Sequence, residues 1–420
     1  MLDRTIIKNI SSLFSIRVAG YIIPLITLPY LVRVLGPEGY GILAFCLAIN
    51  QYFTIAVNYG FDLSATKKIA QNYDDKLNVS IIFWNVITVR LLISILGLVL
   101  LLLSFSISKD MLGLSPILLG AYLSVFGTAL FPQWLFQGKE QLGTISLVRI
   151  VLQVINIPLL LFFVTSAKDV WIVALLSSLP MIFIVLFASY LIYKRHWVVW
   201  CKPSLRIMWN ELIDGWHLFL SSAAISLYTT STTVMLGIIA GPFSVAIYVA
   251  ANKLLQAAQG LYSPISASFY PRVNSLMKQS TSQALMLVKY LMKVQVGITL
   301  CISLSLFIFA PYVVDILFGD GYERSVTVLK IMSALPIITG LSNIFGIQVL
   351  LTHGYKKEFS NVYLYSGIIS LLTLIPLCYF FDSEGAATSV VITEIIVTLL
   401  MFLNVKKKNI PLFKSSICNM

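Results

Sequence analysis

Apolar runs follow one another along almost the whole chain from Ile10 to Asn404, separated only by short polar connections. A membrane-spanning helix needs about 20 mostly apolar residues. Runs at about 10–32, 40–60, 79–104, 112–132, 145–164 and 170–193 meet that need. So do runs at about 216–240, 245–268, 286–312, 325–351, 360–381 and 385–404. The pattern predicts an all-α integral membrane protein of about twelve transmembrane helices. Only 11% of the 420 residues are charged and the mean hydropathy is +0.91, so no soluble core is left over.

The breaks between runs recur. The first run ends in Gly36-Pro37-Glu38-Gly39 and the seventh in Gly241-Pro242-Phe243-Ser244. The same register sets Ala65-Thr66-Lys67-Lys68 against Tyr270-Pro271-Arg272-Val273. A slightly larger shift sets Phe136-Gln137-Gly138-Lys139-Glu140 against Thr352-His353-Gly354-Tyr355-Lys356. We read two six-helix lobes. Each has an even number of spans, so both enter from one side, as a parallel repeat around a central cavity. The expected division is 1–195 for the first lobe, 196–215 for a linker, 216–405 for the second lobe and 406–420 for a basic tail. Trp197, Trp200 and Trp209 suit a linker lying at the membrane surface.

The formal net charge of +12 follows from topology. With a cytoplasmic N-terminus, Arg4, Lys8, Lys67, Lys68, Lys76, Lys139, Lys194, Arg195 and most later bases share one side, whereas the opposite connections hold Arg33, Lys109, Lys168 and Arg324. This is the positive-inside bias, and it sets both termini in the cytoplasm. No basic patch with interleaved aromatics stands apart from the connections, so nucleic acid is not an expected partner. The scattered cysteines imply neither a disulfide framework nor a zinc site. The first run carries Arg17 and no cleavage motif follows it, which reads as a retained helix.

Polar side chains in hydrocarbon must face protein or a water-filled cavity. The second run carries Gln51, Thr54 and Asn58 on one stripe, beside Asn50. The seventh carries Ser221, Ser222, Ser226, Tyr228 and the stretch from Thr229 to Thr233; the eighth carries Tyr248, Asn252, Gln256 and Gln259. The first holds Arg17, Tyr21 and two prolines that would bend it, Pro24 and Pro29. Stripes in corresponding runs of both halves point to a shared cleft, the competing account being polar contacts between helices. Among the bases in apolar runs, Arg149, Lys293 and Lys330 lie near helix ends and are expected to snorkel. Arg17, Arg90 and Lys253 lie deeper, and Glu394 is the one acid in an apolar run. A visiting anion would balance the excess positive charge, and a diphosphate suits the Arg fork and the Lys point charge. Asp62 and Glu394 are the candidates for coupling to a proton or other ion.

Enzyme classes find little here. His196, His217 and His353 are far apart, and the chain has no nucleophile elbow, phosphate-cradling glycine loop or Asp-rich metal motif. No catalytic residue, metal or cofactor is expected.

The stretch from Tyr21 to Gly41, the Gln51-Tyr52 pair, the stretch from Asn58 to Ala70 and that from Pro132 to Glu140 resemble motifs of bacterial O-antigen flippases. That family is related to multidrug-and-toxin extruders and lipid II flippases. The resemblance implies alternating-access movement of undecaprenyl-diphosphate-linked oligosaccharide from the cytoplasmic to the periplasmic leaflet of the inner membrane. It implies two lobes around a cationic cavity, with Arg17, Lys253 and Arg90 toward the diphosphate. Tyr21, Gln51, Thr54, Asn58, Ser222, Ser226, Tyr228, Tyr248, Asn252 and Gln256 would line the cavity and meet the sugars. Membrane lipids and other membrane proteins of polysaccharide assembly are the implied partners. A drug or cation extruder stays open, although it would want buried acids. A polysaccharide polymerase or ligase also stays open, although it would want a large periplasmic loop.

Overall fold

The computed structural model describes residues 4–412; the side chains of 4–19, 21–23, 217, 218, 221, 222, 227, 228 and 278 lie outside the described residues. Among the described residues the chain is helical, with no strand. In order, the helices are α1 Arg4–Asn58, α2 Phe61–Gln71, α3 Lys76–Ile107, α4 Lys109–Gly113, α5 Ser115–Leu130, α6 Gln133–Gly138 and α7 Leu142–Phe163. After a short turn come α8 Val170–Lys194, α9 Leu205–Gln279, α10 Thr281–Phe318, α11 Glu323–Met332 and α12 Leu335–Asn343. A π-helical stretch, Ile344–Leu351, and α13, Lys356–Lys407, complete the fold. It is an all-α, multi-pass membrane protein: among the described residues, 9 helical stretches are long and apolar enough to cross a bilayer.

Three of those stretches, Pro24–Gln71, Ala223–Met277 and Lys356–Lys407, are far longer than one crossing requires. The long helices in them, α1, α9 and α13, each contain one break from helical geometry, at Gly36, Gly241 and Asp382. Divided there, they accommodate two apolar runs apiece. Gly36 has φ 66° and ψ 175°, and Gly241 has φ 83° and ψ 177°. That region is essentially closed to any residue with a Cβ. Each is followed by proline, whose missing N–H and fixed φ suit the first position of a new helix. The Gly-Pro pair read from the sequence therefore makes the same break in both halves.

The repeat is also written in the helix ends. Four helices close with paired 6→1 and 5→2 backbone bonds around a residue at positive φ, which caps otherwise orphaned carbonyls. In the first half, Gln141 N–H donates to Phe136 O (2.7 Å) and Trp197 N–H to Ile192 O (3.3 Å). In the second, Tyr355 N–H donates to Leu350 O (3.0 Å) and Ile410 N–H to Val405 O (3.3 Å). The residues at positive φ are Glu140, His196, Gly354 and Asn409. Glu140 is thus the counterpart of Gly354. The sequence register had set Gly138 against Gly354, and the cap bonds correct it.

The chain separates into two compact units, Met1–Ser226 and Leu227–Met420. The 196–215 segment is fastened to the first. Val199 N–H donates to Ser80 Oγ (2.9 Å), Trp84 Nε1 to Val199 O (3.0 Å) and Ser204 N–H to Asn85 Oδ1 (2.8 Å). Lys68 on α2 then pairs with Glu211 at 2.8 Å and Asp214 at 2.7 Å.

Arg90 on α3 holds the interior of the first unit. It is 2% exposed. Its Nη2 donates to Asn58 Oδ1 at 2.7 Å and its Nη1 to Phe131 O at 3.2 Å, so one guanidinium joins α3 to the end of α1 and to the α5–α6 connection. Asp62 lies within its electrostatic reach. In the second unit amides and hydroxyls do the same work: Gln295 Nε2 donates to Gly340 O (3.1 Å), Gln348 Nε2 to Ser266 O (2.8 Å) and Ser325 Oγ to Ile247 O (3.0 Å).

Two substitutions test this framework by thermal unfolding in detergent. Arg90→Ala leaves Asn58 and the Phe131 carbonyl without their donor and Asp62 without the nearby positive charge, and should cost about 3–5 kcal/mol. An unchanged unfolding temperature would contradict the anchoring role. A Cβ at Gly385 would sit 1.9 Å from the Leu377 carbonyl oxygen, whereas one at Gly297 would meet nothing within 4 Å. Gly385→Ala should therefore destabilise by about 1–3 kcal/mol, and Gly297→Ala should be neutral or stabilising by up to about 1 kcal/mol.

Candidate functional site

Residues of α9, α11, α12 and α13 line a partly open cavity of about 180 Å³ inside the second unit. On α9, Tyr248, Asn252, Gln256 and Gln259 recur at three- and four-residue intervals and so share one helix face; all four line the cavity, with Thr229. Glu394 and Val390 approach from α13, and Met332, Leu335 and Thr339 from the tenth apolar run. The polar periodicity of the eighth run thus converges on a real concavity, opposite a carboxylate far away in sequence.

The lining groups differ in how far they are satisfied. Thr339 Oγ1 donates to Leu335 O and shares a 2.8 Å hydrogen bond with the Tyr262 hydroxyl. Tyr248 is buried at 3% exposure, with Thr232 as a hydrogen-bonding neighbour. The side chains of Asn252, Gln256, Gln259 and Glu394 take part in no hydrogen bond or ion pair among the described residues. Lys253 is next to Asn252 but about 100° further round the helix, off the cavity wall. It is half-buried and likewise has no carboxylate partner among the described residues.

The first-unit residues are used differently. Asn50 is 3% exposed and donates to Cys46 O (3.1 Å) and Leu118 O (3.3 Å). Thr54 Oγ1 donates back to Asn50 O at 3.1 Å, and Asn58 is occupied by Arg90. Of that stripe only Gln51 is exposed. The polar face of the second run is largely spent on joining helices, the competing account raised by the sequence. Arg90, expected at a diphosphate, is instead enclosed within its own unit, because its donors reach Asn58 and Phe131 first. Asp62 is half-buried near Arg90, far along the chain from the cavity that Glu394 lines. The structure therefore brings together Tyr248, Asn252, Gln256 and Glu394, and separately Asn58, Asp62 and Arg90. Ser226 falls at the last position of the first unit. Arg17, Tyr21, Ser222 and Tyr228 belong to α1 and α9, and their side chains lie outside the described residues.

Sequence reasoning missed Thr339 and Met332 as lining residues. A lone threonine and a methionine in an apolar run carry no periodic signal; only the packing of α11 and α12 against α9 and α13 exposes them.

The chain is similar over nearly its full length to two curated proteins. One, from Escherichia coli (strain K12), is named "Putative O-antigen transporter" and is 37% identical over 404 residues, covering 96% of this chain and 97% of its relative. The other bears the same name, comes from Shigella dysenteriae, and is 30% identical over 399 residues, covering 95% and 100%. In fold, the chain resembles an inward-facing multidrug resistance MATE family transporter of the MOP superfamily (TM-score 0.74, 14% identity, 96% of this chain and 99% of that one). It also resembles the lipid II flippase MurJ in an inward closed conformation (TM-score 0.75, 14% identity, 95% and 89%). The model of the family described as polysaccharide biosynthesis protein matches residues 6–277. With that match and the two relatives at full length, the chain belongs to the polysaccharide biosynthesis protein family.

Proposed function

We propose that the protein is a flippase that moves undecaprenyl-diphosphate-linked O-antigen units from the cytoplasmic to the periplasmic leaflet of the bacterial inner membrane. The observation that carries this reading is the full-length similarity to relatives named O-antigen transporters. The site chemistry supports it. Among the described residues Lys253 has no carboxylate partner, and a base in an apolar segment is costly unless a counter-ion visits. Beside it, one helix face presents amides and a phenol to a polar cavity. In this reading Lys253, with Arg17, meets the diphosphate, and Tyr248, Asn252 and Gln256 meet sugars. Arg90 supports the helices around the path without touching the substrate.

The proposed architecture is the parallel repeat of six spans per lobe, with a cationic cavity at the centre, both termini cytoplasmic, and alternating access by motion of one lobe against the other. The lipid tail is too long for any enclosed pocket and stays in the bilayer, so only the head group and sugars enter. Binding and reorientation form no covalent bond, so no catalytic residue or cofactor is required. Asp62 and Glu394 are the acids assigned to ion coupling. Other membrane proteins of polysaccharide assembly would supply and consume the substrate.

Glu394 also keeps a second reading in view, because a carboxylate at a cavity wall is what an extruder of organic cations would use. Leaflet-resolved transport in proteoliposomes separates the two. Accelerated movement of undecaprenyl-diphosphate glycans, with no efflux of organic cations, is the expected result; cation efflux alone would overturn the flippase reading. Lys253→Ala should slow glycan movement by about tenfold or more, the cost of one charge-assisted contact, while leaving the unfolding temperature unchanged. Normal glycan movement in that variant would remove Lys253 from the site. In a strain lacking the protein, lipid-linked units should accumulate on the cytoplasmic leaflet; accumulation on the outer leaflet would instead indicate a polymerase or ligase.

A further inference from the structure

The cavity in the second unit is more selective in its chemistry than a general polar lining requires. Buried polar groups are normally paired, and elsewhere in this unit Gln295, Gln348 and Ser325 hold backbone carbonyls. Around the cavity, three carboxamides and a carboxylate have no hydrogen-bond or ion-pair partner among the described residues. Convergent unfilled polar groups in a concavity mark a place for a polar ligand.

Size limits that ligand. At about 180 Å³ the cavity is smaller than the roughly 300–1,000 Å³ pockets that enclose drug-sized molecules. It suits one sugar ring rather than an oligosaccharide. Composition limits it further. A carboxamide donates through nitrogen and accepts through oxygen, which matches sugar hydroxyls that do both. The Glu394 carboxylate can accept from neighbouring hydroxyls or from a sugar ammonium. Among the described residues, no lysine or arginine lines the cavity. A diphosphate or the carboxylate of an acidic sugar would enter with no positive charge among the described lining residues to offset its lost hydration, and would face Glu394 as well.

We propose that this cavity is a monosaccharide subsite that takes one neutral or amino sugar of the transported glycan and rejects sugars bearing a carboxylate, with Glu394 as the discriminating residue. The inference rests on the flippase reading above and names the sugar class it handles. It also divides labour along α9: Lys253, off the cavity wall, meets phosphate, while Asn252, Gln256 and Gln259 meet hydroxyls.

The test uses the full chain in proteoliposomes and a set of undecaprenyl-diphosphate trisaccharides in which glucose is replaced by glucuronic acid at one position at a time. At one position the replacement should slow movement by about tenfold or more, and Glu394→Gln should bring that penalty down toward one. The readout is a ratio between glycans under one driving force, so any part of Glu394 in ion coupling cancels. Asn252→Ala with Gln256→Ala should slow the all-glucose glycan without improving the acidic one. Tolerance of glucuronic acid at every position, or an undiminished penalty in Glu394→Gln, would overturn the subsite.

A second measurement keeps the two readings apart. Saturation-transfer spectra of the detergent-solubilised protein should show methyl glucoside, but not methyl glucuronide, in contact with the wild type, and the signal should fall in Asn252→Ala. Equal contact for both glycosides, or none for either, would overturn the subsite. Selective glucoside contact with no glycan transport would support the subsite and overturn the flippase reading.

Discussion

In a membrane interior every donor and acceptor must find its partner within the protein, because water is not there to supply one. That constraint organises this fold. The guanidinium of Arg90 is fully enclosed and reaches a side-chain amide and a backbone carbonyl. Tyr122 donates to Ser94 O at 2.7 Å and Ser178 to Gly120 O at 2.9 Å. Helix ends follow the same rule, since the paired cap bonds close carbonyls that would otherwise stay open. Against so much internal pairing, groups left open carry information. Among the described residues, Asn252, Gln256, Gln259 and Glu394 are unpartnered together around one cavity, and Lys253 is beside them.

The sequence made the large features legible because they depend on many residues at once. Twenty-residue apolar runs survive any local irregularity, so the membrane class and the approximate spans could be read directly. The Gly36-Pro37 and Gly241-Pro242 pairs were legible for the opposite reason: the backbone there admits only glycine, so identity and geometry are tied. The other repeated feature, the paired caps, left little trace. Glutamate, histidine, glycine and asparagine occupy the equivalent left-handed positions. A left-handed residue costs about 1–2 kcal/mol unless it is glycine, and the paired bonds with their packing absorb that cost. The register drawn through glycines alone therefore slipped.

The candidate site was legible only in part, for a reason visible in two similar stripes. Asn50, Thr54 and Asn58 have the same helical spacing as Tyr248, Asn252 and Gln256. Sequence cannot tell a stripe that faces a neighbouring backbone from one that faces a void. The difference is made by what packs opposite: the Leu118 carbonyl and Arg90 meet the first stripe, while Glu394, Thr339 and Leu335 stand back from the second. The deep bases divide in the same way. Arg90 has a planar fork that two oxygens within its own unit can fill, so it becomes part of the packing. Lys253 offers a single ammonium with no carboxylate partner among the described residues.

A duplicated chain need not use its two halves alike. The breaks and caps recur because they are imposed by the backbone, which each half must turn at the same places. The side chains between them are free of that demand once the helices are packed. In the first unit they have been committed to cohesion, with Arg90, Asn58 and the Lys68–Glu211–Asp214 cluster tying helices and the following segment into one body. In the second, neutral amides and hydroxyls hold the interior around the π-helical stretch, ion pairs of Arg324 with Asp382 and Glu384 and of Lys408 with Glu358 stand nearer the surface, and a carboxylate and three amides at the cavity are unspent among the described residues. A polar group can stabilise a fold or stay open to a ligand, but it does not do both at once. The half with the weaker claim on its polar residues is therefore where recognition has room to reside.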